Sequence, residues 1–248
     1  MKIIISPAKQ MVYDTDSLEC AGLPHFLSKT EIIKDILQSM DYARLKKLWK
    51  CNDKIAQMNY ERLQNINLRS NLTPAILSYD GIRYKYMAPS VFDTDQLKYI
   101  QEHLFILSGF YGALKPFDGV APYRLEMGAK LPVDGRKDLY DYWSDEICRY
   151  VCDGRGEIIN LASEEYSKVI KKHIDSNTKF VTVVFGEYVK GKLVEKATKC
   201  KMARGEMVRY MAENNVQTSR QLAGFNRLGY NYSRQLSDSE NIVFVWNK

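Results

Sequence analysis

The sequence predicts a mixed α/β fold with some α+β character: one compact domain in which a mixed sheet is covered by helices. Three observations carry this reading. Apolar segments at 2–6, 104–107 and 157–161 run without polar alternation, the habit of strands buried on both faces. The stretches between them place apolar residues at helical spacing. No internal repeat or low-complexity linker divides the 248 residues, and a hydrophobic content of 45% supports a sizeable core.

In chain order, Ile3, Ile4 and Ile5 form the first strand, and Pro7 ends it. Residues 28–65 read as helical. Ser28 and Glu31 have capping-box spacing, and Ile33, Ile36, Leu37 and Met40 make one stripe. Asp41 caps a short second helix with Leu45, Leu48 and Trp49 inward, and Asn52 caps a third. The segment 72–79 is a second apolar run ending in Asp80-Gly81. Asp93 or Thr94 caps a helix through His103, and a strand follows at 104–107. Residues 138–151 form one helix with Leu139, Trp143, Ile147 and Val151 at helical spacing, then 157–161 form a strand. Residues 179–196 read as a hairpin turning at Lys190-Gly191. Helix 197–214, a short helix near 218–224 and two closing strands complete the chain.

Several function classes drop out early. No apolar run approaches the roughly 20 residues of a membrane span. The N-terminus has only three isoleucines before a proline, too few for a secretory segment, which points to the cytoplasm. The five cysteines of so long a chain form no disulfide framework; Cys148 and Cys152 share a helix face and read as core thiols by default. His25, His103 and His173 are scattered, so no metal site is expected. No Walker loop or Rossmann fingerprint is present, and no cofactor is called for.

The chemistry concentrates at strand ends. Four apolar segments each run into a small or polar cluster: Ser6 to Lys9, Tyr79 to Gly81, Ser108 to Gly112, and Asn160 to Glu165. In open α/β sheets ligands bind beyond the carboxyl ends of the strands, so parallel strands would bring Lys9, Asp80, Asn160, Ser163 and Glu164 to one cleft. The stretch 106–128, rich in glycine, proline and aromatics, reads as a shaped loop presenting Tyr111, Tyr123, Arg124 and Glu126. An ordered connector with a surface Arg–Glu pair accounts for the same residues.

Helix 197–214 adds an independent clue. At about 100° per residue, Arg204 lies about 40° from Cys200, within the stripe of Ala203, Met207 and Met211. An arginine on an apolar face needs a partner, and Glu126 and Glu164 are the candidates. Gly205 permits close approach, and Lys201 sits at the stripe's edge. A cleft with Lys9, Arg124, Lys201 and Arg204 against Glu126 and Glu164 suits a small anion or nucleobase. Lys9 or Lys201 would be nucleophile or base, Glu126 or Glu164 the acid–base group, and Ser6, Asn160 and Ser163 further contacts. Tyr111, Tyr123 and Tyr140 offer stacking surfaces.

The net charge of +6 is uneven. Arg44, Lys46, Lys47 and Lys50 form one basic block. Lys190, Lys192, Lys196, Lys199, Lys201, Arg204 and Arg209 form another. Two such blocks fit a polyanion such as double-stranded DNA, and equally two solvated helix faces.

The assembled motifs resemble the YaaA family of peroxide stress proteins: ISPAK at 5–9, LSGFYGALKPFDGVAPYRLEMG at 107–128, KDLYDYW at 137–143, NLASEEY at 160–166, KMARGEMVRY at 201–210 and GFNRLGY at 224–230. The resemblance implies a single α/β domain of unusual topology with a basic cleft and a helix-hairpin-helix-like element at 41–64. It also implies binding to double-stranded DNA, and limitation of free iron during peroxide stress. The chain departs from the family pattern at Gln10, at Lys115, and at Cys51-Asn52 with Gln57. The last change removes a glycine that a phosphate contact would favour. Two functions follow as expectations. One is a DNA-binding stress protein using Arg44, Lys46, Lys47, Lys50, Lys190, Lys192 and Lys199; the other is an enzyme on a nucleotide, nucleobase or other small anion.

Overall fold

Ile3, Ile4 and Ile5 have no exposed surface, and the strand they form lies in the middle of the main sheet. The structure, a computed structural model, describes residues 1–152 and 156–247. Strand β1 (Lys2–Ile5) is followed by β2 (Gln10–Met11) and by helices α1 (Leu27–Gln38), α2 (Tyr42–Trp49) and α3 (Asp53–Gln64). Then β3 (Thr73–Pro74), α4 (Ala75–Ser78), β4 (Tyr79–Asp80), α5 (Ile82–Met87) and α6 (Thr94–His103) lead into β5 (Leu104–Ser108). Next come β6 (Gly112–Leu114), β7 (Gly119–Val120), α7 (Leu139–Trp143), α8 (Glu146–Val151) and β8 (Gly156–Asn160). The chain continues through α9 (Glu164–Lys171), β9 (Thr178–Val189), β10 (Lys192–Val194) and α10 (Ala197–Glu213). It closes with β11 (Tyr230–Tyr232) and β12 (Asn241–Trp246).

The main sheet runs β11-β12-β9-β8-β1-β5-β6, with β10 paired to β9. Its five inner strands are parallel, and β6 and β11 close its two edges antiparallel. Ile4 lies opposite Phe105 on one side and Asn160 on the other. Helices pack on this sheet: α9 against β1 and β5, α6 against β5, and α10 against β9, α6 and α5. The result is a single compact mixed α/β domain. Each fully buried isoleucine of β1 contributes about 1.5–3 kcal/mol by leaving water.

The connection after β1 leads to β5 on one side, and that after β8 leads to β9 on the other. The gap between the carboxyl ends of β1 and β8 is therefore a topological switch point, where open α/β sheets form their ligand crevice.

Side-chain caps set the starts of four helices, α2, α3, α6 and α7. The Asp41 carboxylate accepts from the Arg44 N–H at 2.8 Å, and the Asn52 side chain accepts from Ile55 N–H at 3.0 Å. Asp93 and Gln96 form a complete capping box. Each cap contributes about 1 kcal/mol. The turn between β9 and β10 falls at Lys190-Gly191, both at positive φ.

The structure departs from the sequence expectations in four places. Helix α1 begins after Phe26 without a side-chain cap, and Ser28 lies inside it. Burial of Phe26 and Leu27 sets that start rather than the Ser28–Glu31 spacing. The apolar run 72–79 divides into β3, the single turn α4 and β4, and its hydrogen bonds go to short strands outside the main sheet. The expected helix 138–151 breaks at Ser144, which takes φ 46° between α7 and α8. Trp143 is held there by its indole N–H on the Gly109 carbonyl at 3.1 Å. The loop 106–128 contains the short strands β6 and β7.

No helix among the described residues is long and apolar enough to cross a membrane.

Candidate functional site

Ser6 follows β1 and Ser163 follows β8, and the switch point brings them together. Their hydroxyls lie 3.1 Å apart, and the Ser163 N–H donates to Ser6 Oγ at 2.9 Å. Around them opens a cleft of about 720 Å³. Residues Ser6 to Gln10 form its floor, and Asp80 to Tyr84 one wall. Tyr123 to Glu126 form another wall, and Glu195, Cys200, Lys201 and Arg204 the side facing α10.

The deepest charges of this cleft are cationic. Arg83 is 6% exposed, and its Nη1 donates to the Ser6 carbonyl. The Arg124 side chain is 9% exposed; it reaches the Lys9 carbonyl at 3.4 Å and stands 4.0 Å from Glu126. The Arg204 side chain is 13% exposed and pairs with Glu195 at 3.2 Å. In all three arginines the Nε is buried and has no hydrogen-bond partner. Such orphaned donors are costly to leave unpaired. Burial pushes the Arg83 pKa down to about 10, and the nearby Arg204 charge pushes the same way.

The carboxylates sit at the rim. Glu126 pairs with Lys9 at 2.8 Å and keeps a third of its side chain exposed. Glu195 is nearly half exposed, and Asp80 turns to Lys85 at 3.4 Å. A buried guanidinium wall behind an acidic rim is chemically suited to holding an anionic group.

Close backbone approach builds these walls. A Cβ on Gly109 would stand 2.9 Å from Glu126 C and Met127 N, so glycine lets the returning 121–128 segment lie against the end of β5. A Cβ on Gly205 would stand 2.0 Å from the Arg83 carbonyl oxygen. Glycine there lets α10 and α5 touch, and that contact sets Arg83 and Arg204 in the same cleft.

The structure brings Ser6, Lys9, Tyr123, Arg124, Glu126, Ser163, Lys201 and Arg204 to this cleft. Three strand-end clusters belong to parallel strands; those after β1 and β8 line the cleft, while Ser108 to Gly112, after β5, lies outside its lining. The fourth, at Asp80-Gly81, belongs to β4, antiparallel to β2, yet lines the cleft as well. Glu164 does not reach it. Ser163 precedes α9, and the first helical turn points Glu164 to solvent and Glu165 to the cleft. Glu165 accepts the Gly128 N–H at 2.8 Å. The partner of Arg204 is Glu195, not Glu126 or Glu164, because the chain before α10 folds back across its own first turns. Asn160 is buried and structural in its contacts, accepting from Ala162 N–H and donating to Thr182.

The tyrosines give no open stacking face. Tyr111 is buried, its hydroxyl bonded to the Ala121 backbone. Tyr123 is clamped between the Tyr79 and Ser108 hydroxyls at 2.9 and 2.6 Å and stacks on Phe110. Burial raises its pKa to about 12 against those two bonds. Tyr140 donates to the Glu165 carbonyl beneath the Lys168 ammonium. Sequence reasoning missed Arg83, Glu165 and Glu195. Only Arg83 carried a signal, as a cation set between the apolar residues Ile82, Tyr84 and Met87.

The basic block of α2 stands apart from this cleft. Lys46, Lys47 and Lys50 line an open groove with Tyr42, Cys51 and Asn52, and Lys46 pairs with Asp53 at 2.6 Å. Arg44 is exposed on the same helix. Lys190 and Lys192 are exposed on the β9–β10 hairpin. Lys199 is bound to Glu187 and lies 3.6 Å over the Trp246 ring, so its charge is already partnered. Among the described residues no group of three or more His, Cys, Asp or Glu side chains is placed to hold a metal.

A family model described as Peroxide stress protein YaaA matches residues 1–236. Curated relatives match over nearly their whole length. A UPF0246 protein of Desulfitobacterium hafniense is 54% identical over 99% of this chain and 98% of its own. One from Lachnoclostridium phytofermentans is 50% identical over 99% and 96%, and one from Pediococcus pentosaceus 48% over 100% and 99%.

Proposed function

The chain belongs to the peroxide stress protein YaaA family, and from that premise we propose that it binds a small phosphate- or carboxylate-bearing ligand in the switch-point cleft. One observation carries this reading: three nearly buried guanidiniums, each with an unpartnered Nε, line a single cleft. A carboxylate or phosphate offers guanidinium N–H groups facing the cleft the paired oxygen acceptors that match their fork. With Tyr111, Tyr123 and Tyr140 occupied by other contacts, recognition rests on the anion rather than on base stacking. If a reaction follows binding, Lys201 at the mouth and the Lys9–Glu126 pair are the groups nearest the ligand for proton transfer.

Thermal unfolding with inorganic phosphate and with nucleoside phosphates tests this. Phosphate at a hundred times its Kd would stabilise the protein by about 2.7 kcal/mol. Arg124→Gln and Arg204→Gln remove that gain. An unchanged midpoint with every anion, or a gain that persists in both variants, overturns the reading.

A second reading, binding of double-stranded DNA, draws support from Lys46, Lys47 and Lys50 lining one groove. Arg44, Lys190 and Lys192 would add phosphate contacts. Limitation of iron-dependent damage would then come through shielded DNA. Retention on duplex DNA should fall steeply between about 50 and 200 mM salt and drop in the Lys46/Lys47/Lys50→Glu variant. Retention indifferent to salt or to these charges sinks it.

A further inference from the structure

Cys148 and Cys152 lie at the C-terminal end of α8, beside the first residues of β8 and at the opposite end of that strand from the cleft. Their sulfurs are 3.4 Å apart and not bonded to each other. Cys148 sits on α8 and is buried, while Cys152 is the half-buried residue that ends the helix. The Cys152 N–H still reaches the Cys148 carbonyl at 2.7 Å, but its ψ of 91° has left the helical region. Inside a regular helix, the Cβ atoms of residues four apart lie about 5–6 Å from each other, farther than the roughly 3.8 Å across a disulfide. Here the second sulfur hangs on the first non-helical residue. Closing the gap to the bonded distance of about 2.05 Å then needs only a shift of that terminal residue.

The other thiols differ in surroundings. Cys200 is buried and donates to the Phe185 carbonyl at 3.1 Å; burial and Glu195 push its thiol up to about 11. Burial and Asp118 push Cys20 up as well. Cys148 is shifted the other way, because the Cys152 thiol is placed to donate to its thiolate, against burial and the Asp175 and Asp145 charges. A thiolate with a second thiol in contact is the arrangement in which a sulfenic acid is resolved within the chain.

We propose that Cys148 and Cys152 form a reversible intrachain disulfide when the protein meets a hydroperoxide. The Cys148 thiolate attacks one peroxide oxygen, the O–O bond breaks, and the leaving hydroxide takes up a proton as water. Cys148 becomes a sulfenic acid. The Cys152 sulfur, losing its proton, then attacks Cys148 Sγ. The S–O bond breaks, a second water leaves, and the S–S bond forms. Two thiols and one hydrogen peroxide give one disulfide and two waters, with the peroxide as the two-electron oxidant. This inference does not depend on what the cleft binds.

The test is mass spectrometry of the full-length protein treated with stoichiometric hydrogen peroxide. The expected product is about 2 Da lighter, carries a mapped Cys148–Cys152 link, and returns to the starting mass with a dithiol reductant. Cys152→Ser keeps a hydroxyl donor beside Cys148 and should stop at a dimedone-reactive sulfenic acid on Cys148. A Cys20→Ser/Cys51→Ser protein, checked for folding by circular dichroism, should still form the disulfide. An unchanged mass, oxygen addition with no disulfide stage, a link mapped to other cysteines, or loss of the disulfide in the Cys20→Ser/Cys51→Ser protein overturns the proposal.

Discussion

The two halves of α10 treat arginine in opposite ways. Near its C-terminal half, Arg227 reaches Glu206 at 2.9 Å and also Glu213, which Arg209 holds from the other side, and the guanidinium stacks toward Tyr210. Burial works against this charge, yet Glu213 and Glu206 hold its pKa above the ordinary arginine value. In the N-terminal half, Arg204 has one half-exposed carboxylate, an unpartnered Nε, and a second buried guanidinium beside it. Charge that only stabilises a fold is saturated by the fold. Charge left unsaturated on the wall of a cleft costs stability, and a ligand that completes its contacts recovers that cost.

The largest expected effect tests how the unsaturated half is assembled. Gly205→Ala sets a methyl against the Arg83 carbonyl and forces α10 away from α5. We expect a loss of about 3 kcal/mol in urea unfolding, with the phosphate response lost too. A cost below about 1 kcal/mol would show that this contact does not set the cleft. Arg227→Ala tests the saturated half. It leaves two carboxylates without their main cation and should cost about 2–3 kcal/mol, while the phosphate response survives. If that response disappears, the two halves are not independent.

Asp118 extends the comparison to a buried acid whose desolvation outweighs the nearby Lys115 charge. Burial raises its pKa to about 6, against the Lys115 N–H that it accepts at 2.8 Å. The unfolded carboxyl titrates near the ordinary aspartate value of 3.8. Between those values the folded state holds a proton that the unfolded state does not, so stability should rise as pH falls from about 6 to about 4. The rise is roughly 2–3 kcal/mol, and unfolding midpoints across that range should flatten in Asp118→Asn. A wild-type profile already flat there would mean the carboxyl is not desolvated. Arg204→Gln should change stability least, by less than about 1 kcal/mol, because its ion-pair partner Glu195 is half exposed and the buried Nε has no partner to lose. Its whole effect should fall on the anion-induced shift.

Much of the fold was legible because local chemistry decides it. Asp41, Asn52 and Asp93 cap their helices by bonds that span three residues. Three consecutive isoleucines require a strand covered on both faces, and Lys190-Gly191 marks a turn. Even the unusual position of Arg204 could be read from helical spacing alone. What the sequence could not supply was pairing across distance. Ser144 breaks a regular apolar pattern because Trp143 is fixed by Gly109, 34 positions earlier in the chain. Glu195 took the place of Glu126 and Glu164 as the partner of Arg204 because the path of the chain into α10 chose it.

By itself, then, the sequence determined most element types, the caps at Asp41, Asn52 and Asp93, and the small polar clusters after β1, β5 and β8. The tertiary structure alone decided that β1 and β8 lie side by side with their connections leaving in opposite directions. That adjacency places Ser6 against Ser163, and the contact at Gly205 adds Arg83, whose apolar neighbours in sequence say nothing of which site it joins. The physical reason is one of range. Capping and amphipathic spacing act within a turn or two of the chain, whereas a buried cation's surroundings come from segments more than a hundred residues apart.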